Sequence, residues 1–374
     1  MKKKKLLIAV GVTLLLSCIS IILLNLQRGG DSGSVKIGVM LPLTGENSTF
    51  GNPIREGMML AIEEEDGQRF RFEIQDSQNK QVRSINILHE YIDVKHMKFV
   101  VGDVSSSSTV SMVPIADSNG VFLFSPCAQT PLLTNVSPLF ARCYPSTTAE
   151  SKETAEFVAK NFKGKRIAVY YVNDDYGSLL AGDFRKELST YGEEIYLFEA
   201  FDPQQKDFKG IVAKIADTKP EVIYLAGNPQ SMGAFMRQYA TCGYVCQIIS
   251  DLAFLEHDCI DQAGNSAEGA IVPITYYNPE DESLTGSYAF GKKYKARYGK
   301  LPSIANAVGY DTIKLLVEAI EAEPSHDPLK VAAHIRNRKG YNGALGMLDF
   351  TNGDVRIPIV FKKIVNGTAV SIAK

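Results

Sequence analysis

The sequence predicts an α/β protein: two doubly wound parallel-sheet lobes joined by a multi-strand hinge and preceded by an N-terminal hydrophobic helix. Three observations lead there. Short β-branched and aromatic runs alternate with segments of helical period, the pattern of parallel strands covered by helices on both faces. The alternation runs once over about residues 35–145 and restarts over about 150–275, each stretch the size of one domain. The 374 residues suffice for two to three domains at ~150 residues each. A hydrophobic share of 45% and a charged share of 22% exclude a disordered or collagen-like chain. The net charge of −2 argues against a nucleic-acid-coating protein, which needs a basic surplus.

Residues 35–40 (VKIGVM) form the first strand. A loop follows, and Asn52-Pro53 opens a helix, with Asn as its cap and Pro at its first position. Ile54, Met58, Ala61 and Ile62 share one face of that helix. Phe70, Phe72 and Ile74 alternate as a strand that ends at Asp76, and Val82, Ile85, His89 and Ile92 mark the next helix. Residues 99–102 (FVVG) are a buried strand, 105–109 a hydroxyl run that opens a helix, and 121–124 a fourth strand. In the second round, 166–171 (RIAVYY), 194–199 and 221–226 (EVIYLA) are strands. The helices after them carry Leu180 and Phe184, Ile211 and Ile215, and Met232 and Phe235. Residues 283–337 are helical without strands of their own, so they return to the first lobe; 356–361 (RIPIVF) is a late strand of the second. The assignment is 35–146 plus 276–349 for one lobe and 147–275 plus 350–374 for the other, behind a leader of 1–34.

The leader is an address. Four lysines precede 21 uncharged residues, 6–26, and ~20 residues cross a bilayer. Lysines before the span keep the N-terminus in the cytoplasm and send the rest outside. An uncleaved anchor ranks first. A lipoprotein cut before Cys18, on Leu15-Leu16-Ser17-Cys18, and an ordinary cleaved signal are the alternatives, and all three export the chain. Residues 27–34 (QRGGDSGS) are a Gly/Ser-rich linker.

In open α/β sheets ligands bind at the carboxyl ends of strands, so chemistry is sought there. Ser105 to Thr109 combine hydroxyls with the free N–H groups of a helix start, which suits an anion such as a carboxylate; a ligand-free serine cap is the plainer reading. Residues 124–130 (FSPCAQT) are small and polar, which lets backbone approach a ligand or simply makes a turn. Tyr176 could roof a ligand or stand on the rim, and Asp251 could pair with an amine or cap a helix. Residues 286–293 (GSYAFGKK) imitate a phosphate loop but follow no strand and lack its final hydroxyl, so they read as surface helix. Cys242, Cys246, His257 and Cys259 match no common zinc spacing. Cys127 with Cys143, and Cys242 with Cys246 or Cys259, are candidate disulfides.

Residues 35–45 (VKIGVMLPLTG), with Phe50-Gly51 and Gly57 after them, resemble the opening of type I periplasmic binding proteins, closest to the leucine/isoleucine/valine-binding subgroup of ABC transporters. Residues 100–107, Pro114-Ile115-Ala116, Ser125-Pro126-Cys127-Ala128, Tyr176-Gly177, Ser266-Ala267-Glu268-Gly269 and Gly309-Tyr310-Asp311 continue the resemblance in order, over about 35–370. The resemblance implies two hinged lobes that close on a small amino acid and pass it to an ABC permease, with no covalent chemistry, cofactor or metal. It places the ligand carboxylate on Ser105, Ser106 and the loop of Cys127, Ala128 and Gln129, with Phe50 and Tyr176 as aromatic walls. The amine end falls on Thr147, where relatives often carry an acid, and more loosely on Asp251; Asn228 stands where relatives often carry an aromatic residue. The alternative is a ligand sensor of the same fold reporting to a separate signalling partner; a transporter gene neighbourhood favours the importer, a receptor-kinase neighbour the sensor.

Overall fold

The computed structural model describes residues 34–45, 47–65, 67–255 and 257–372; the predicted N-terminal hydrophobic helix and its membrane tether lie outside them. Among the described residues, no helix is long and apolar enough to cross a membrane. The first sheet holds β1 (Val35–Leu41), β2 (Phe70–Asp76), β3 (Phe99–Val101), β4 (Phe122–Ser125) and β5 (Phe140–Arg142), all parallel, in the order β2-β1-β3-β4-β5. Residues 37–41 of β1 are buried, as expected of a central parallel strand covered on both faces. Helices α1 (Ser48–Glu63), α2 (Gln81–His89) and α3 (Ser106–Ser118) connect these strands.

The second sheet holds β6 (Ile167–Val172), β7 (Ile195–Phe201), β8 (Val222–Ala226), β9 (Gln247–Ser250) and β10 (Ile271–Thr275). Its parallel part runs β7-β6-β8-β9-β10, the same winding as the first sheet. Its helices are α4 (Thr147–Asn161), α5 (Asp175–Thr190), α6 (Lys209–Thr218), α7 (Pro229–Tyr239) and α8 (His257–Ala263). From β10 the chain returns to the first lobe as α9 (Thr285–Tyr298), α10 (Ile304–Ala322) and α11 (Pro328–Arg336). There it adds a small antiparallel sheet of β11 (Tyr341–Gly343), β12 (Gly346–Thr351) and β13 (Asp354–Arg356). The last strands, β14 (Ile359–Val365) and β15 (Thr368–Ser371), run antiparallel on the edge of the second sheet beyond β10.

Three details differ from the sequence reading. The first helix starts at Ser48, with Pro53 inside it, and Asn52 is not its cap: its side-chain amide donates to Ser48 O and Leu43 O at 3.0 and 3.1 Å. The late strand is broken at Ile357-Pro358, where one edge of sheet ends and another begins. Phe350, Val355 and Ile357 are buried in the first lobe's core, so the crossing into the second lobe falls after Ile357 rather than at 350. The chain therefore crosses between lobes at about 144–147, 275–278 and 357–359. Two hydrogen bonds tie the crossings together: Tyr144 OH to Thr275 Oγ1 at 3.2 Å, and Tyr276 N–H to Pro358 O at 3.0 Å.

Candidate ligand-binding site

Each sheet reverses its strand order beside its first strand, between β1 and β3 and between β6 and β8, the place where open α/β sheets bind ligands at the carboxyl ends. In the first lobe, β3 ends at Val101 and α3 begins at Ser106 with Ser105 as its cap. Ser105 Oγ accepts from Ser108 N–H at a long 3.4 Å and lies 3.1 Å from Ser107 Oγ. The N–H groups of Ser106 and Ser107 belong to the first turn, which has no intrahelical acceptors and carries the positive end of the helix dipole.

The loop after β4 is held against this turn. Ser106 Oγ accepts from Gln129 N–H and Thr130 N–H at 3.2 and 3.3 Å. Ser125 Oγ donates to Asp103 O at 2.8 Å and accepts from Ala128 N–H at 2.9 Å. Beneath the loop lies Arg142, a fully buried guanidinium. It donates to Ala128 O (3.1 Å), Thr130 O (2.8 Å), Thr134 Oγ1 (2.8 Å) and Asp354 Oδ1 (2.8 Å). The loop is thus pinned from both sides, by a hydroxyl above and a cation below. Gln129 O accepts from Thr147 N–H at 3.1 Å, which carries the loop into the first crossing.

At the crossings a small pocket of about 20 Å³, room for about one water, is lined by Gln129, Thr147, Glu150, Leu252, Thr275 and Ile359 among others. Thr147 is 4% exposed and its hydroxyl has no hydrogen-bond partner. One helical turn on, Glu150 Oε1 accepts from Leu252 N–H at 2.9 Å. Withdrawal from water pushes the Glu150 carboxyl up to about 7. Asp251 is fully buried; Oδ2 accepts from Gly227 N–H (2.7 Å) and Oδ1 from Ala253 N–H (2.8 Å). Burial first, and the charge of Glu150 second, push its carboxyl well above the usual range. Burial and these two acids likewise raise the Tyr176 phenol, a half-buried side chain on α5.

The structure therefore brings Ser105, Ser106, Cys127, Ala128 and Gln129 into one cluster and joins it to Thr147. Asp251 and Tyr176 stand on the opposite lobe around Glu150. Ala128 is fully buried, so its part is packing and backbone. The Cys127 thiol is pushed up to about 12 by burial and stays neutral. Phe50 is 46% exposed at the start of α1, and Asn228 caps α7 by accepting from Ser231 N–H at 2.9 Å; neither lines the pocket. Sequence reading missed Glu150 and Arg142. The signals were an acid three residues after Thr147 in a helix's first turn, and a lone arginine in the apolar run of β5.

The five cysteines of the described residues stand as free cysteines in this structure. In the second lobe, Cys242 Sγ donates to Val212 O at 3.4 Å, Cys246 Sγ lies 3.3 Å from Tyr239 OH, and Cys259 is buried in the core. Among the described residues, no group of His, Cys, Asp and Glu side chains converges on a metal position.

A family model described as "Periplasmic binding protein" matches residues 34–359. Among curated relatives, a "Leu/Ile/Val-binding protein homolog 1" of Brucella suis is 26% identical over 340 residues, 88% of this chain and 90% of its own. A leucine binding protein of Thermotoga maritima has the same fold, with a TM-score of 0.76 and 28% identity over 91% of this chain and 98% of its own. So does an ABC transporter solute binding protein of Rhodopseudomonas palustris, solved with 3,4-dihydroxybenzoic acid (TM-score 0.73, 20% identity, 91% and 96% covered). The family's members are exported solute-binding proteins, not enzymes. With the two lobes, the crossings and the match over most of its length, this chain belongs to the periplasmic binding protein family.

Proposed function

We propose that the chain captures a small amino acid or related carboxylate between its two lobes and delivers it to an ABC permease, held at the outer face of the membrane by its N-terminal segment. The observation that carries this reading is the first-lobe cluster. A helix N-terminus, two serines at its start and a small-residue loop backed by a buried guanidinium lie together at the carboxyl ends of β3 and β4, chemistry suited to carboxylate capture. The relatives named for leucine, isoleucine and valine support the ligand class. Closure is a hinge motion about the three crossings, and a ligand that touches both lobes favours the closed state.

Thermal unfolding against amino acids, amides and short carboxylates tests the reading. A ligand that binds only the folded state adds ~2.7 kcal/mol at about 100 times its dissociation constant. Absence of a shift across the panel would sink the proposal. The Ser105→Ala variant is expected to bind ~1–2 kcal/mol more weakly, through loss of a charge-assisted hydrogen bond. Unchanged affinity by titration calorimetry would remove Ser105 from the site.

A further inference from the structure

We propose that the amino-end face of the first sheet is a docking face for anionic phospholipid headgroups, held against the bilayer by the short tether that enters there. The inference rests on the membrane-tethered reading above and adds which face of the chain meets the membrane. Two independent observations point to it: where the leader joins the fold, and the charge of the surface around that joint. Residues 27–34 separate the apolar run 6–26 from β1, and eight extended residues reach at most ~26–29 Å. Ser34 itself lines a groove of about 450 Å³ at the amino ends of β1 and β3, so the tether holds this face beside the lipid.

The surface around the joint is basic. A second groove, of about 640 Å³, adjoins the first and shares Lys36, Lys95 and His96 with it. A π-helical turn, Glu90–Val94, leads out of α2 and delivers Lys95 and His96 to both. Together the grooves are lined by four cations, Lys36, Arg71, Lys95 and Lys98, two histidines, and one acid, Glu73. Lys36 and Arg71 are register partners on β1 and β2; like charges placed opposite destabilise a sheet, and an anion over them relieves the repulsion. The side chains of Arg71 and Lys98 are exposed and have no partner among the described residues. The acids that border the face are already committed. Glu73 and Glu90 pair with Lys95, Asp93 with His89, and Glu321 with Arg69. Asp327 caps α11 by accepting from Leu329 N–H and Lys330 N–H, and Glu323 accepts from Ser325 N–H and faces Lys330. A bilayer surface presents many phosphates in one plane, which suits cations spread along strand ends, and each Lys or Arg near such a surface adds about fivefold to binding. The amino ends lie at the opposite edge of the sheet from the Ser105 cluster, so docking leaves the ligand-binding edge turned away from the lipid.

The experiment reconstitutes the full chain into vesicles of phosphatidylcholine alone, or of two parts phosphatidylcholine to one part phosphatidylglycerol. A membrane-impermeant acetylating reagent is applied and each lysine is read by mass spectrometry, with the exposed Lys206 of the second lobe as reference. Acetylation of Lys36 and Lys98, relative to Lys206, is expected to be at least threefold slower on the anionic vesicles than on the neutral ones. Salt at about 1 M shortens the screening length to ~3 Å and is expected to erase the difference. The double variant Arg71→Glu, Lys98→Glu is expected to leave Lys36 equally reactive on both lipids. Both replaced side chains are exposed and unpaired, so its melting temperature should match wild type. Equal rates on both lipids, or protection of Lys36 that survives salt and charge reversal, overturns the docking face while the tether stands. Protection produced on neutral vesicles by inorganic phosphate alone makes the groove a free-anion site and likewise overturns it. A full chain that floats with neither vesicle overturns the tether and this inference with it, while solute capture is read separately by thermal shift.

Discussion

Arg142→Met is expected to cost ~3–5 kcal/mol of folding stability, the scale for removing one partner of a buried, hydrogen-bonded charge pair. The guanidinium is fully buried and serves four acceptors: two loop carbonyls, Thr134 and Asp354. Methionine fills the space but leaves the carbonyls of Ala128 and Thr130 without donors. Those carbonyls belong to the loop whose N–H groups meet Ser106, so the variant should also weaken ligand binding. Arg142→Lys is expected to rescue little, because a single ammonium cannot span the planar fork of acceptors. Urea unfolding followed at several ligand concentrations separates the two losses. A variant within 1 kcal/mol of wild type would remove Arg142 as the keystone of the loop.

The second large effect lies where α1 and α10 cross. A Cβ on Gly57 would sit 1.8 Å from Asn306 O, and one on Gly309 would sit 2.0 Å from Ile54 O. Asn306 fixes the crossing by donating its side-chain amide to Pro53 O at 2.8 Å. Backbone meets backbone on both sides, so no flexible side chain can yield. Gly309→Leu is expected to destabilise by at least ~3 kcal/mol, the upper part of the range for overpacked cores, and to lower the melting temperature by roughly 6–12 °C. Gly182→Ala is the control of opposite sign. That glycine is exposed within α5, its Cβ would meet nothing within 4 Å, and alanine should add ~0.5–1 kcal/mol through helix propensity. A melting temperature for Gly309→Leu equal to wild type would contradict the close crossing.

Together these variants locate the mechanical parts of a binding protein. Arg142 sets the shape of the loop after β4. The α1–α10 crossing is a close backbone-to-backbone contact inside the first lobe, away from the three crossings.

Period and side-chain type are local properties, and the local features were legible. The alternation of strand and helix, the two rounds and the small-residue segments after β3 and β4 follow from spacings of two and 3.6 and from hydroxyls at a helix start. The nearness of Ser105 and Ser106 to 127–129 was legible for the same reason, since each segment follows a strand of the same sheet. What the sequence could not decide is which partner each polar group meets. Asn228 and Asp251 sit at strand ends where a cap and a ligand group look alike; folding commits their oxygens to Ser231, Gly227 and Ala253 N–H groups. Residues 350–357 carry an ordinary strand pattern, and only burial of Val355 and Ile357 assigns them to the first lobe. Glu150 is one acid among many in the chain until Leu252, 102 residues away, approaches it and shuts out water. A carboxyl's chemistry depends on its solvent and neighbours rather than on its type, and those are set by the tertiary fold.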